Sequence, residues 1–109
     1  MTLRTAQQKK DLCPGCPVAR VADILGDSCS LLIVRDLLST PQRFSQLETS
    51  LRGISTRTLT NKLKQLEHEG MIKRNEYTKP QRVEYSLTKK GEALHTVIDA
   101  MRSYGKKYL

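Results

Sequence analysis

A chain of 109 residues has room for one domain with a core that holds without staples, and no room for a second. Its 19 Lys+Arg against 11 Asp+Glu leave a formal net charge of +8, which favours polyanionic partners, nucleic acid first and an anionic membrane surface second. With no Trp and one Phe there is no aromatic platform for stacking single-stranded bases, and three cysteines, an odd count, argue against a disulfide framework; duplex DNA and a reducing compartment fit better.

The chain opens on a polar, basic stretch, Met1 to Asp11, that lacks the apolar segment of a secretory signal. Residues 1–12 are expected to form an N-terminal arm and residues 13–109 the domain. The longest apolar run, Leu31-Leu32-Ile33-Val34, is far too short to span a bilayer, so a soluble, cytoplasmic protein with no membrane partner is expected.

Pro17 suits the first turn of a helix, and Val18, Val21, Ala22 and Leu25 follow at helical spacing until Gly26 ends the run. Asp27 or Ser28 caps a second helix through Ser39, apolar nearly all round and therefore expected to be central and buried; Pro41 stops it. A short third helix begins near Phe44, where Ser45 and Glu48 have the spacing of a capping box. Arg52-Gly53 turns the chain. Ser55 is a good N-cap for a fourth helix, from about Thr56 to Glu69, with Leu59, Leu63 and Leu66 as a narrow apolar stripe and Gly70 as its stop. The period then changes to two: Met71 to Tyr77 and Arg82 to Leu87 read as strands around a polar turn, Thr78 to Gln81. Thr88 caps a last helix to the C-terminus, with Leu94, Val97, Ile98, Met101, Tyr104 and Tyr108 along one side.

This order predicts a mainly α (α+β) fold: a helix-turn-helix, a two-stranded β-hairpin wing directly after it, and a C-terminal helix suited to dimerisation. With Leu59 taken as inward and 100° per residue, Leu63 and Leu66 fall within about 40° of it. Arg57, Asn61 and Lys64 fall within about 40° of the opposite side, with Thr60 beside them. These residue types match a major groove: Arg pairs bidentately with guanine, Asn with adenine, and Thr donates or meets the thymine methyl. Ser55, Thr56, Arg57, Thr60 and Asn61 are therefore candidates for the base-reading end, with Lys62 or Lys64 on phosphate. Lys79 and Arg82 in the wing are candidates for the neighbouring backbone or minor groove. A charged helix face is often simply solvated, but this one carries no acid until Glu67 and its N-terminus presents the positive end of the helix dipole.

The competing expectation is a winged-helix protein-interaction module without specific DNA binding, because fold does not fix function. An enzyme is not expected: His68 and His95 have no acid and nucleophile partners in the sequence, and no glycine-rich phosphate loop is present. No cofactor is expected. The terminal apolar stripe is read as a homodimer contact, with capping of the monomer core as the alternative.

Several stretches together resemble the HxlR family of regulators: Cys16-Pro17-Val18, Leu31 to Leu38, Arg43-Phe44-Ser45-Gln46-Leu47, Gly53-Ile54-Ser55 with Leu59-Thr60, and Leu63-Lys64-Gln65-Leu66-Glu67. Gly70-Met71-Ile72, Arg82 to Thr88 and Gly91 extend the resemblance over residues 16 to 106. It implies a homodimeric winged helix-turn-helix that regulates transcription at a pseudo-palindromic operator on double-stranded DNA, with the N-terminal segment and terminal helices in the dimer contact. The chain departs from the family at Gly26-Asp27-Ser28-Cys29-Ser30, where Cys29 stands in place of the usual Trp.

The resemblance also implies redox or electrophile sensing at Cys16, and Cys13 adds a CxxC beside it. A thiolate near a helix N-terminus is stabilised by the dipole, and Arg20 lies one turn on. The bland reading is that Cys16 and Cys29 are small buried hydrophobes. Zinc would need the other half of a site from Cys29, His68, His95 or a second subunit, and no second CxxC or close His pair is present, so no metal is expected. An oxidant or small molecule is the expected class of effector.

Overall fold

The structure is a computed structural model and describes residues 15–109. The elements run α1 (Pro17–Leu25), α2 (Ser28–Ser39), α3 (Phe44–Ser50), α4 (Thr56–His68), β1 (Ile72–Thr78), β2 (Gln81–Leu87), α5 (Lys89–Glu92) and α6 (His95–Tyr108). The N-terminal arm expected over residues 1–12 lies outside the described residues.

Local chemistry accounts for most boundaries. Proline at the start of α1 gives up an N–H that would have no partner there. Asp27 caps α2 by accepting the Ser30 N–H at 2.9 Å. Gly53, at φ 89°, takes the left-handed conformation that turns the chain between α3 and α4, a region that costs an L side chain strain. Ser55 caps α4 by accepting the Thr58 N–H at 3.0 Å.

The core follows the apolar stripes. Leu59, Leu63 and Leu66 of α4 are buried, as the spacing requires, against Ile33, Val34 and Leu37 of α2 and Leu47 of α3. Met71, Ile72 and Leu87 close the bottom, and Ile98 of α6 seals one side. Burying one such side chain is worth about 1.5–3 kcal/mol, so the α4 stripe by itself fixes that helix firmly to the body. The central helix α2 is less enclosed than its composition suggests: Leu31, Leu32 and Leu38 are only half-buried.

β1 and β2 form an antiparallel hairpin in the register Ile72 with Leu87 through Thr78 with Gln81. Both strands run closer to the turn than the sequence pattern indicates, leaving Lys79-Pro80 at the tip. A third segment joins them. Gln42, between α2 and α3, pairs with Tyr85 through two backbone hydrogen bonds of 3.0 and 2.7 Å.

Two further expectations differ from the structure. The capping box at α3 is not made by Ser45 and Glu48; the N-cap is Arg43, two residues earlier, and the Gln46 side chain accepts the Arg43 N–H at 2.7 Å. Glu48 instead accepts a hydrogen bond from Thr56 at 3.0 Å, which draws it away from its own helix start. The last helix is also interrupted. Thr88 does cap it, accepting the Gly91 N–H at 3.1 Å, but the tight hydrogen bond from Leu94 N–H to the Gly91 carbonyl shifts the path before α6 begins. Just before the break the chain is pressed against the start of the wing: a Cβ on Gly91 would lie 2.0 Å from the Met71 carbonyl oxygen.

Candidate nucleic-acid interface

Most of the residues expected to read DNA lie on α4, whose N-cap is Ser55, and Lys79 and Arg82 lie in the wing that follows it. Ser55 holds the start of the helix: its hydroxyl accepts from Thr58 N–H and donates to the Thr58 hydroxyl at 2.8 Å. Thr60 donates to the Thr56 carbonyl at 2.8 Å, which restrains its rotamer. The Thr56 hydroxyl donates to Glu48, linking the two helices of the motif at the N-terminal end of α4.

Arg57, Asn61 and Lys64 are exposed, and among the described residues none has a hydrogen-bond or ion-pair partner. Three polar side chains on a rigid helix are thus left without internal duties, while the opposite stripe is fully buried. That separation is what a reading head requires: the backbone is held by packing and the polar atoms are spare.

Lys62 is different. It sits on the shoulder of α4 and places Nζ 3.3 Å from Asp27 Oδ2, with both side chains mostly shielded, at 20% and 17% exposure. Burial would raise the Asp27 carboxyl, but hydrogen bonds from the Ser30 N–H, the Ser30 hydroxyl and Lys62 outweigh it and hold its pKa below the usual 3.8. The link spans 35 positions of sequence and depends on how α2 lies against α4, so no local pattern reveals it.

The wing carries Lys79, exposed at the tip, and Arg82, which stacks over the Tyr77 ring at 4.4 Å and pairs with Glu84 at 3.1 Å. Lys79 is therefore the more available cation and Arg82 the better ordered one. Lys73 is exposed on β1, and Arg74 pairs with Glu76. The Gln42–Tyr85 bridge ties this hairpin to the segment that leads into α3.

Cys16 is the N-cap of α1; its carbonyl accepts the Arg20 N–H at 3.1 Å, and its side chain is half-buried. Cys13 lies outside the described residues. Cys29 is half-buried in the first turn of α2, beside a groove lined by Leu32, Leu51 and Ile54. Among the described residues no three His, Cys, Asp or Glu side chains gather as a metal site. No helix there is long and apolar enough to cross a membrane.

A short helix, a glycine turn, a second helix with its apolar stripe buried and its polar face spare, and a hairpin tied to both define a winged helix-turn-helix. The model of the HxlR-like helix-turn-helix family matches residues 24–109, and the chain belongs to that family of transcriptional regulators. It is accordingly not an enzyme. The chain is 43% identical over 95 residues to an HTH-type transcriptional regulator of Synechocystis sp., covering 86% of this chain and 70% of that protein. Among solved structures it resembles a transcriptional regulator of the MarR family from Porphyromonas gingivalis, at 35% identity and TM-score 0.80 over 87% of this chain and 94% of that one. It is equally similar in fold to the redox regulator HypR in its oxidized form, at 29% identity and TM-score 0.80, covering 86% of this chain and 98% of the other.

Proposed function

We propose that this regulator recognises a pseudo-palindromic operator as a homodimer, placing one α4 in each of two successive major grooves. Ser55, Thr56, Arg57, Thr60 and Asn61 meet the base-reading end of the groove and Lys64 meets phosphate, while Lys79 and Arg82 in the wing approach the flanking backbone. The observation that carries the reading is the uncommitted state of Arg57, Asn61 and Lys64 on a helix whose other side is fully buried. Its work on double-stranded DNA would be done in the cytoplasm.

The dimer reading is supported by α6. Val97 and Ile98 pack on the body, but Met101, Tyr104 and Tyr108 are 49%, 61% and 62% exposed, and Tyr104 stacks on Tyr108 rather than on the core. Val18 of α1 is exposed close to the same surface, where Met101 and Val21 share a groove. Apolar side chains of this size, left open on one side, suit a self-complementary contact.

Cys16, with Cys13 before it, is proposed as the oxidant-responsive group. The support is its place at the N-terminus of α1, where the helix dipole favours a thiolate, and the likeness of the fold to a redox regulator. An operator-binding assay on wild type, Arg57→Ala, Asn61→Ala and Cys16→Ser, with and without diamide, tests these assignments together. Loss of site preference in the first two variants, and loss of oxidant response in the third, is expected; unchanged operator binding by Arg57→Ala and Asn61→Ala would show that α4 does not read the bases.

A further inference from the structure

The ion pair between Asp27 and Lys62 bears on how accurately α4 is aimed. With Leu59 inward, Lys62 stands about 60° round the helix, on the shoulder that faces α2 rather than on the outer face. Its partner is held from two sides. Asp27 Oδ1 accepts the Ser30 N–H at 2.9 Å, and Oδ2 accepts both the Ser30 hydroxyl at 3.0 Å and Lys62 Nζ at 3.3 Å. Ser30 is buried, and the helix it belongs to contributes Ile33 and Val34 to the centre of the core. The carboxylate is therefore a fixed point of the scaffold.

Apolar packing and this ion pair constrain different motions. The Leu59-Leu63-Leu66 stripe fixes how deep α4 sits and which side faces in, but apolar contact is non-directional and sets the last few degrees of rotation about the helix axis less sharply than a directional contact does. At the ~5–6 Å radius of a helix with its side chains, a turn of about 10° moves an outward polar atom by about 1 Å. A shift of that size spoils a bidentate hydrogen bond to a base edge, whereas a flexible contact to phosphate follows it.

We propose that Asp27 is a positioning residue for base reading: through Lys62 it sets the rotation of α4 about its own axis, so that Lys62 serves sequence discrimination and not phosphate binding. The inference rests on the reading of α4 as the operator-reading helix and reassigns one of its two candidate phosphate lysines.

The test compares wild type with Asp27→Asn, which still caps α2, Lys62→Met, which keeps an apolar stem, the double variant, and Lys62→Arg. For each, affinity is measured for the selected operator and for a scrambled duplex over a range of salt. The ratio of the two affinities is expected to fall about tenfold in each single variant, the loss of one good base contact. The double variant should be no worse than either single one, Lys62→Arg should regain most of the ratio, and the salt slopes should stay as in wild type.

If Lys62→Met weakens both duplexes alike and takes about 0.9 from the salt slope, Lys62 is a phosphate contact and the proposal is overturned. Ratios unchanged in both single variants, or additive losses in the double, overturn it too. Circular dichroism and binding to the scrambled duplex report folding; should Asp27→Asn melt early, Lys62→Met and Lys62→Arg still decide. A wild type with no preference for any duplex would overturn the operator reading and this proposal with it, whereas a failure confined to the variants overturns the proposal alone.

Discussion

Arg57 and Asn61 stand outward from a helix whose inner side is closed, so their truncation should cost recognition and leave the fold intact. Arg57→Ala is expected to reduce discrimination at one base position by about 1–3 kcal/mol, read by competition between duplexes that differ at that position. Both residues were legible in the sequence, because a three-leucine stripe at helical spacing fixes which side of α4 faces out. The ion pair of Lys62 was not, since its partner lies 35 positions away on another helix. Asp27 also gives a pH signature. Its carboxyl titrates below 3.8 in the folded protein and near the ordinary value when unfolded, so the stability it contributes is present above the unfolded pKa and is lost as pH falls through the folded one. Thermal melts from pH 6 to pH 3 should therefore show a steeper acid loss in wild type than in Asp27→Asn, and parallel curves would count against the interaction.

Elements that owe their existence to local pattern were visible in the chain: α1 from its proline and helical spacing, α4 from its cap and stripe, the wing from the change of period. What depends on distant contact was not. The pairing of Gln42 with Tyr85 and the break before α6 both arise where segments far apart in sequence are pressed together. Gly91 is the sharpest case. Because a Cβ there would meet the Met71 carbonyl at 2.0 Å and backbone cannot easily give way, Gly91→Ala should destabilise by about 3 kcal/mol or more, at the upper end for overpacking. Chemical denaturation measures it, and a loss under 1 kcal/mol would mean that the wing shifts at little cost. Ser55→Ala removes the cap of α4 and should cost about 1 kcal/mol, with a matching loss of operator affinity if the first turn of α4 meets DNA.

At the scale of the whole molecule, the net charge of +8 and the proposed pair of reading helices make opposite demands on an experiment. Charge alone binds any duplex and fades with salt, with log affinity falling by about 0.9 per phosphate neutralised, whereas paired base contacts survive as a ratio between duplexes. The exposed outer half of α6 supplies the dimer in this account, so Tyr104→Asp should give a monomer by sedimentation and lose at least about a hundredfold in operator affinity as the avidity of two heads disappears. A Tyr104→Asp protein that remained dimeric would place the contact elsewhere. The central claim, that this is a dimeric reader of a defined sequence, is tested most directly by selecting bound duplexes from a random pool at physiological salt. The account predicts a palindromic motif whose half-sites lie about one helical turn apart, or a multiple of it, centre to centre. Recovery of no motif, with weak binding to every duplex that vanishes as salt rises, would contradict it.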